Sequence, residues 1–132
     1  MARDEFPAGG EFEVREPLML ISVRESYYYR DNVYDAVRYA WKVNPERAES
    51  FNLVLANLRG VVVGVFRPHQ WLCATRENFP GLSDKDEPGR WGFVGKEAEP
   101  ATWKLYYGKR VPARYRRRGA QSLVRYCHPS DR

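Results

Sequence analysis

Apolar positions recur at different periods along this chain, and each period predicts an element. The run LMLISV, Leu18–Val23, is compact, apolar and partly β-branched, which predicts a buried strand. After the tyrosine triplet Tyr27–Tyr29 the rhythm changes. Within DNVYDAVRYAWK, the residues Val33, Ala36, Val37, Ala40 and Trp41 fall on one helical stripe, with Asp35, Arg38 and Lys42 elsewhere. Asp31 or Asn32 suits the N-cap of this helix. A second helical turn is expected at PERAES, with Pro45 first and Glu46 behind it.

The next segment reads as a hairpin. Two β-rich runs, Phe51–Leu58 and Val61–Arg67, flank Arg59-Gly60, where glycine can take a positive φ. Gly64 marks a bulge or tight bend, and Pro68 is expected to end the strand. HQWL then reads as a turn that tucks Trp71 inward. Two prolines, two glycines and alternating charges make ATRENFPGLSDKDEPGR a long surface loop. WGFVG, Trp91–Gly95, returns to strand, and EPATWKLYYGK predicts a short helix with Pro100 in its first turn, capped at Gly108. SLVRYC, Ser122–Cys127, is a last strand. The order strand, helix, hairpin, strand, short helix, strand predicts an α+β domain. Its sheet should be small, curved and mostly antiparallel, or an open β-barrel, with two or three short helices. Residues 1–16 hold many carboxylates and few apolar side chains, so they read as a flexible lead-in to a single domain over 17–132.

A length of 132 residues, 43% hydrophobic and 30% charged, is that of one ordinary globular domain. Charge changes the picture more than composition does. From Lys104 to Arg132 there are nine Lys or Arg against one Asp, whereas the rest of the chain is net acidic. A local basic face favours phosphates as partners. No amphipathic basic helix accompanies the charge, which argues against a membrane surface. No run is long and apolar enough to span a bilayer, and the N-terminus lacks a signal-peptide core, so a cytoplasmic protein with two reduced thiols is expected.

Enzyme signatures are sparse. There is no GxSxG, HExxH or Gly-rich phosphate loop. His69 with Cys73, and Cys127 with His128, lack the short spacings of a zinc site in both halves, so neither a metal nor a cofactor is expected. Glu97 and Glu99 are carboxylates at a charged strand-to-helix junction, and nothing assigns them acid–base work. The basic and aromatic set carries more chemistry. Lys109, Arg110, Arg114, Arg116, Arg117 and Arg118 surround Tyr115, and Gln121 offers an amide that both donates and accepts. Arginine forks match phosphate oxygens, and an aromatic ring beside them offers a platform for an unpaired base. Trp41, Trp71 and Trp91 are candidates for lining a pocket, and equally for filling a core.

YDAVRYAWKVNPERAESFNLVLANLRGVVVGVFRPHQW, RWGFVGKEA and YYGKRVPARYRRRGAQSLVRYC together resemble a bacterial accessory segment. That segment follows GIY-YIG nuclease modules of the LEM-domain-associated type. The resemblance covers residues 17–127 and rests on Ala40-Trp41, Arg59-Gly60, Val65-Phe66-Arg67-Pro68 with Trp71, and Tyr107-Gly108-Lys109 with Gly119-Ala120-Gln121. The nuclease module itself is absent, so its activity is not carried over. What the resemblance implies is an accessory domain beside a nucleic-acid enzyme. In strand order and size the chain is also similar to PUA-like barrels of the EVE and ASCH kind, many of which hold a modified base or RNA end at the barrel mouth.

The expectation from these readings is a module that binds DNA or RNA, with a nuclease as partner and a flipped or modified base in an aromatic pocket. Two other classes stay open at this point: a small catalytic domain, nuclease or ASCH-like amidohydrolase, and a module that docks an acidic protein.

Overall fold

The computed structural model describes residues 10–116 and 123–131. Among these residues five strands form one sheet: β1 Leu18–Ser22, β2 Val54–Leu58, β3 Val61–Cys73, β4 Trp91–Glu97 and β5 Val124–Cys127. Their order is β4-β3-β2-β1-β5, with β1 and β2 parallel and every other pairing antiparallel. Four short helices accompany it: α1 Ser26–Tyr29, α2 Val33–Val37, α3 Pro45–Ala48 and α4 Pro100–Tyr106. This is the expected α+β class, with an open sheet and one helix more than expected. No helix among the described residues is long and apolar enough to cross a membrane.

Both faces of the sheet are buried, which explains why LMLISV is an unbroken apolar run. Met19, Ile21 and Val23 point into one core with Val54, Phe66, Trp71 and Phe93. Leu18 and Leu20 point into the other with Leu53, Leu55, Val65 and Tyr106. The register slips between Ala56 and Asn57, opposite Gly64 and Val62, leaving Val63 as the extra residue of a bulge. Gly64 is required there, because a Cβ would stand 2.7 Å from the Phe66 ring and 2.9 Å from Val33.

The long strand β3 corrects one expectation. It does not stop at Pro68 but continues to Cys73, and HQWL is strand rather than turn. A second register shift between Pro68 and Gln70 accommodates the proline, which has no N–H to give to a ladder. The first half of β3 pairs with β2 and the second half with β4, so one strand serves two sections of a curved sheet.

The helix expected across residues 31–42 is also shorter. Asn32 caps it as anticipated, its Oδ1 accepting from Asp35 N–H at 2.8 Å. The helix ends at Val37, and a cis peptide joins Tyr39 to Ala40. Trp41 instead exchanges backbone hydrogen bonds with Trp91, at 2.8 and 2.9 Å. Phe93 N–H donates to Arg38 O and Gly95 N–H to the Tyr34 hydroxyl, so this segment covers the outer edge of β4. Edge pairing outweighs helix continuation. Asn44 caps α3 through its side chain, and Pro45 opens it as expected.

Residues 10–16 are not a loose lead-in. Phe12 and Val14 are buried in the second core, and Phe12 N–H donates to Arg110 O at 3.1 Å. The sparse apolar residues of this segment are the ones that pack.

Candidate functional site

The C-terminal basic residues are tied to the hairpin end of the sheet. Gly108 ends α4 at φ +80°, and the chain then runs beside the β2–β3 turn. Val62 N–H donates to Lys109 O, Arg110 bridges Val61, and Val111 N–H donates to Gly60 O. Arg114 and Tyr115 follow on a 3₁₀ turn, Ala113–Tyr115. The C-terminal end of β1 reaches the same place, since Val23 N–H donates to Asn57 O and Ser22 N–H to Leu123 O. Arg24, Arg59, Arg110 and Arg116 therefore come from separate parts of the chain to one end of the sheet, and all four are exposed.

Several of these side chains already have partners. Arg116 pairs with Glu11 at 3.1 Å. Tyr115 donates its hydroxyl to Asp131 Oδ2 at 2.6 Å, and Arg114 lies 4.7 Å from the centre of its ring. Burial, then the Asp131 hydrogen bond, pushes the Tyr115 phenol well above its usual range. The same hydrogen bond, with one from His128 N–H, holds the Asp131 carboxyl below its usual range. Tyr115 is thus a structural latch for the chain end. Arg117, Arg118 and Gln121 lie outside the described residues.

The three tryptophans do not share one pocket. Trp71 is core, 5.2 Å from the Phe93 ring. Trp41 is buried with its indole N–H donated to Val37 O at 2.7 Å, and one of its edges lines a cleft. Trp91 faces a separate hollow of about 290 Å³ under the 74–90 loop.

The cleft that Trp41 borders has a volume of about 440 Å³ and lies across the mouth of the curved sheet. One wall is the chain leaving β1, Ser22–Ser26; a second is α1 with the Tyr39–Trp41 segment; the third is Glu87 and Arg90, just before β4. Arg24, Arg30 and Arg90 line it against Glu25 and Glu87. None of these arginines has a carboxylate within 4.0 Å among the described residues. Arg30 is nonetheless fixed: its Nη1 donates to Leu82 O at 2.6 Å, and its guanidinium lies 5.4 Å from the Tyr29 ring centre and 5.9 Å from that of Tyr39. Arg90 Nη1 donates to Ala40 O at 3.2 Å. Arg30 Nε and the Tyr39 hydroxyl are buried in the walls with no hydrogen-bond partner among the described residues, an arrangement that is costly unless something completes it. At the rim stand Tyr29, 68% exposed, and Leu123, 45% exposed.

Sequence reasoning passed over Arg24, Arg30 and Arg90. The stretch RESYYYR does interleave arginine with aromatics, and that was the signal available. Arg90 carries no local signal, because only the fold brings it opposite α1.

The carboxylates at the β4–α4 junction have a different task. Arg67 makes bidentate contacts with Glu16, at 2.8 and 3.2 Å, and with Glu99, at 3.1 and 2.9 Å. It also donates to Asn52 O, and Thr102 hydrogen-bonds both Arg67 and Glu99. Hydrogen bonding from Arg67 lowers the Glu99 carboxyl to about 2. Glu99 is a clamp that holds the start of α4 to Arg67 in the middle of β3, and Glu97 is exposed. Cys127 is buried in the second core and Cys73 is exposed at the far end of β3, so the residues weighed as metal ligands belong to different regions. Among the described residues no three His, Cys, Asp or Glu side chains converge.

Comparison with models of known families, with curated proteins and with solved structures finds no match to this chain.

Proposed function

We propose that this chain is a nucleic-acid-binding module that seats an unpaired base in the cleft at the sheet mouth. The arginines gathered at that end hold the phosphates. The observation that carries the reading is the meeting of two features at Arg24 and Leu123. An aromatic-rimmed cleft of about 440 Å³, within the size range of small-ligand sites, opens where exposed arginines from separate segments converge. Tyr29 supplies an exposed face for stacking, Arg24 lines the same cleft, and Arg110 stands at the hairpin end of the sheet; neither arginine has an ion pair among the described residues. Arg117 and Arg118 extend the basic run in sequence.

On this reading the curved sheet, with short helices at its mouth, serves as a PUA-like platform working beside a nucleic-acid enzyme such as a nuclease. The Arg67 clamp keeps Glu99 ionised and occupied, which favours a binding role over acid–base chemistry at that junction. Titration of DNA and RNA oligonucleotides, followed by tryptophan fluorescence at low and high salt, tests the proposal. Phosphate-driven binding weakens steeply with salt, by roughly 0.7–0.9 log units per tenfold salt for each contact. An absence of binding, or binding indifferent to salt, would sink it.

A further inference from the structure

We infer that the nucleic acid taken by this surface is a single strand, with neighbouring bases seated in two clefts on either side of the α1–α2 junction. This rests on the nucleic-acid reading above and adds strandedness and a second base site. The first cleft ends at Tyr29 and Arg30; a second groove, of about 470 Å³, begins at Asn32 and Val33. In sequence, Asp31 alone lies between Arg30 of the first lining and Asn32 of the second.

The second groove is built from α2, α4 and the paired strands β3 and β4. Its outer wall is a stacked pair, Trp103 and Tyr107, with ring centres 5.0 Å apart and planes 23° apart. Tyr107 is 49% exposed, and Lys96 and Glu97 are the charged groups lining the groove. The described residues include four large exposed apolar side chains: Tyr28, Tyr29, Tyr107 and Leu123. Three of the four, Tyr29, Tyr107 and Leu123, border one of the two clefts, so two of the three exposed rings stand where a ligand would lie.

Flat ring platforms select for unpaired bases. In a duplex each base is already stacked on its neighbours and paired at its edge, so its face is not on offer. The two linings come together within the three-residue step from Tyr29 to Asn32, at most ~10 Å of chain, so the clefts adjoin at that point. A rigid duplex cannot enter both clefts without unpairing.

Fluorescence anisotropy with oligothymidylates from mononucleotide to hexanucleotide, alongside a duplex of the longest length, tests this. Affinity should rise steeply once the strand is long enough to occupy both clefts, and the single strand should bind at least about tenfold tighter than the duplex. Tyr29→Ala and Tyr107→Ala should each weaken single-strand binding by about tenfold, the scale of one base–aromatic stack. Phenylalanine at either position should restore it. Both tyrosines are exposed, so circular dichroism should show the variants folded. Equal or tighter binding of the duplex, or an unchanged affinity in Tyr107→Ala, would overturn the inference while leaving the nucleic-acid reading intact. Failure of both ligands to bind would overturn the two together.

Discussion

Truncating Phe79 tests whether the long 74–90 loop is an anchored wall of the cleft. Phe79 is fully buried in a small cluster with Tyr39 and Ala74, its ring centre 5.1 Å from that of Tyr39. The Arg38 guanidinium lies 5.4 Å from the ring, and the Phe79 ring fills the space where a Cβ on Gly92 would stand, 2.6 Å away. Phe→Ala in a core costs about 3–5 kcal/mol through lost transfer energy and an unfilled cavity. The cluster lies under a loop that can partly collapse, so about 3 kcal/mol is expected. For a domain of this size that is a Tm lower by about 12 °C, at about 4 °C per kcal/mol. Urea unfolding measures the cost, and amide exchange locates it. Protection should fall at Glu87 N–H, which donates to Ala74 O, and at Phe93 N–H, which donates to Arg38 O. A midpoint shift worth less than about 1 kcal/mol, with exchange unchanged at both amides, would refute the claim that Phe79 pins the loop.

Gly95→Ala should cost about 3 kcal/mol or more, because its Cβ would lie 2.1 Å from Arg67 O and 2.8 Å from Pro68 Cα. Backbone atoms cannot rotate aside, so a near-neutral urea midpoint would contradict the Pro68–Gly95 register. The Glu99 carboxyl is depressed from 4.5 to about 2 in the fold, so its stabilisation is complete above pH 4.5 and lost as pH falls towards 2. Unfolding midpoints across that window should show the loss, and Arg67→Met should flatten this component of the profile. Burial pushes the Cys127 thiol up to about 12, whereas Cys73 is exposed. Iodoacetamide at mildly alkaline pH should therefore label Cys73 in the native protein, with Cys127 labelled only after denaturation, as peptide mass mapping would reveal.

Most elements were legible in the sequence because local chemistry and tertiary structure agree. Asn32 caps one helix and Pro45 opens another, Gly60 and Gly108 take positive φ, and β1 shows the continuous apolar run of a strand buried on both faces. Errors fell where a tertiary partner overrode the local signal. Trp41 fits the helical stripe but pairs with Trp91, and Pro68 reads as a strand end but sits at a bulge. Phe12 and Val14 alternate with charged residues over too short a stretch to predict packing from the sequence. The candidate site was legible only in part. The C-terminal basic run is continuous in sequence, whereas Arg24, Arg30 and Arg90 share a cleft through folding alone.

The salt dependence of oligonucleotide binding tests the central claim most directly, measured for the natural sequence and for Arg24→Ala/Arg110→Ala. Both side chains are exposed and free of ion pairs among the described residues, so their loss should leave the fold intact. If they hold phosphates of a single strand, the slope of log affinity against log salt should become shallower by about 1.4, roughly 0.7 for each contact. Identical slopes for the two proteins, or no detectable binding by the natural sequence at low salt, would contradict the account.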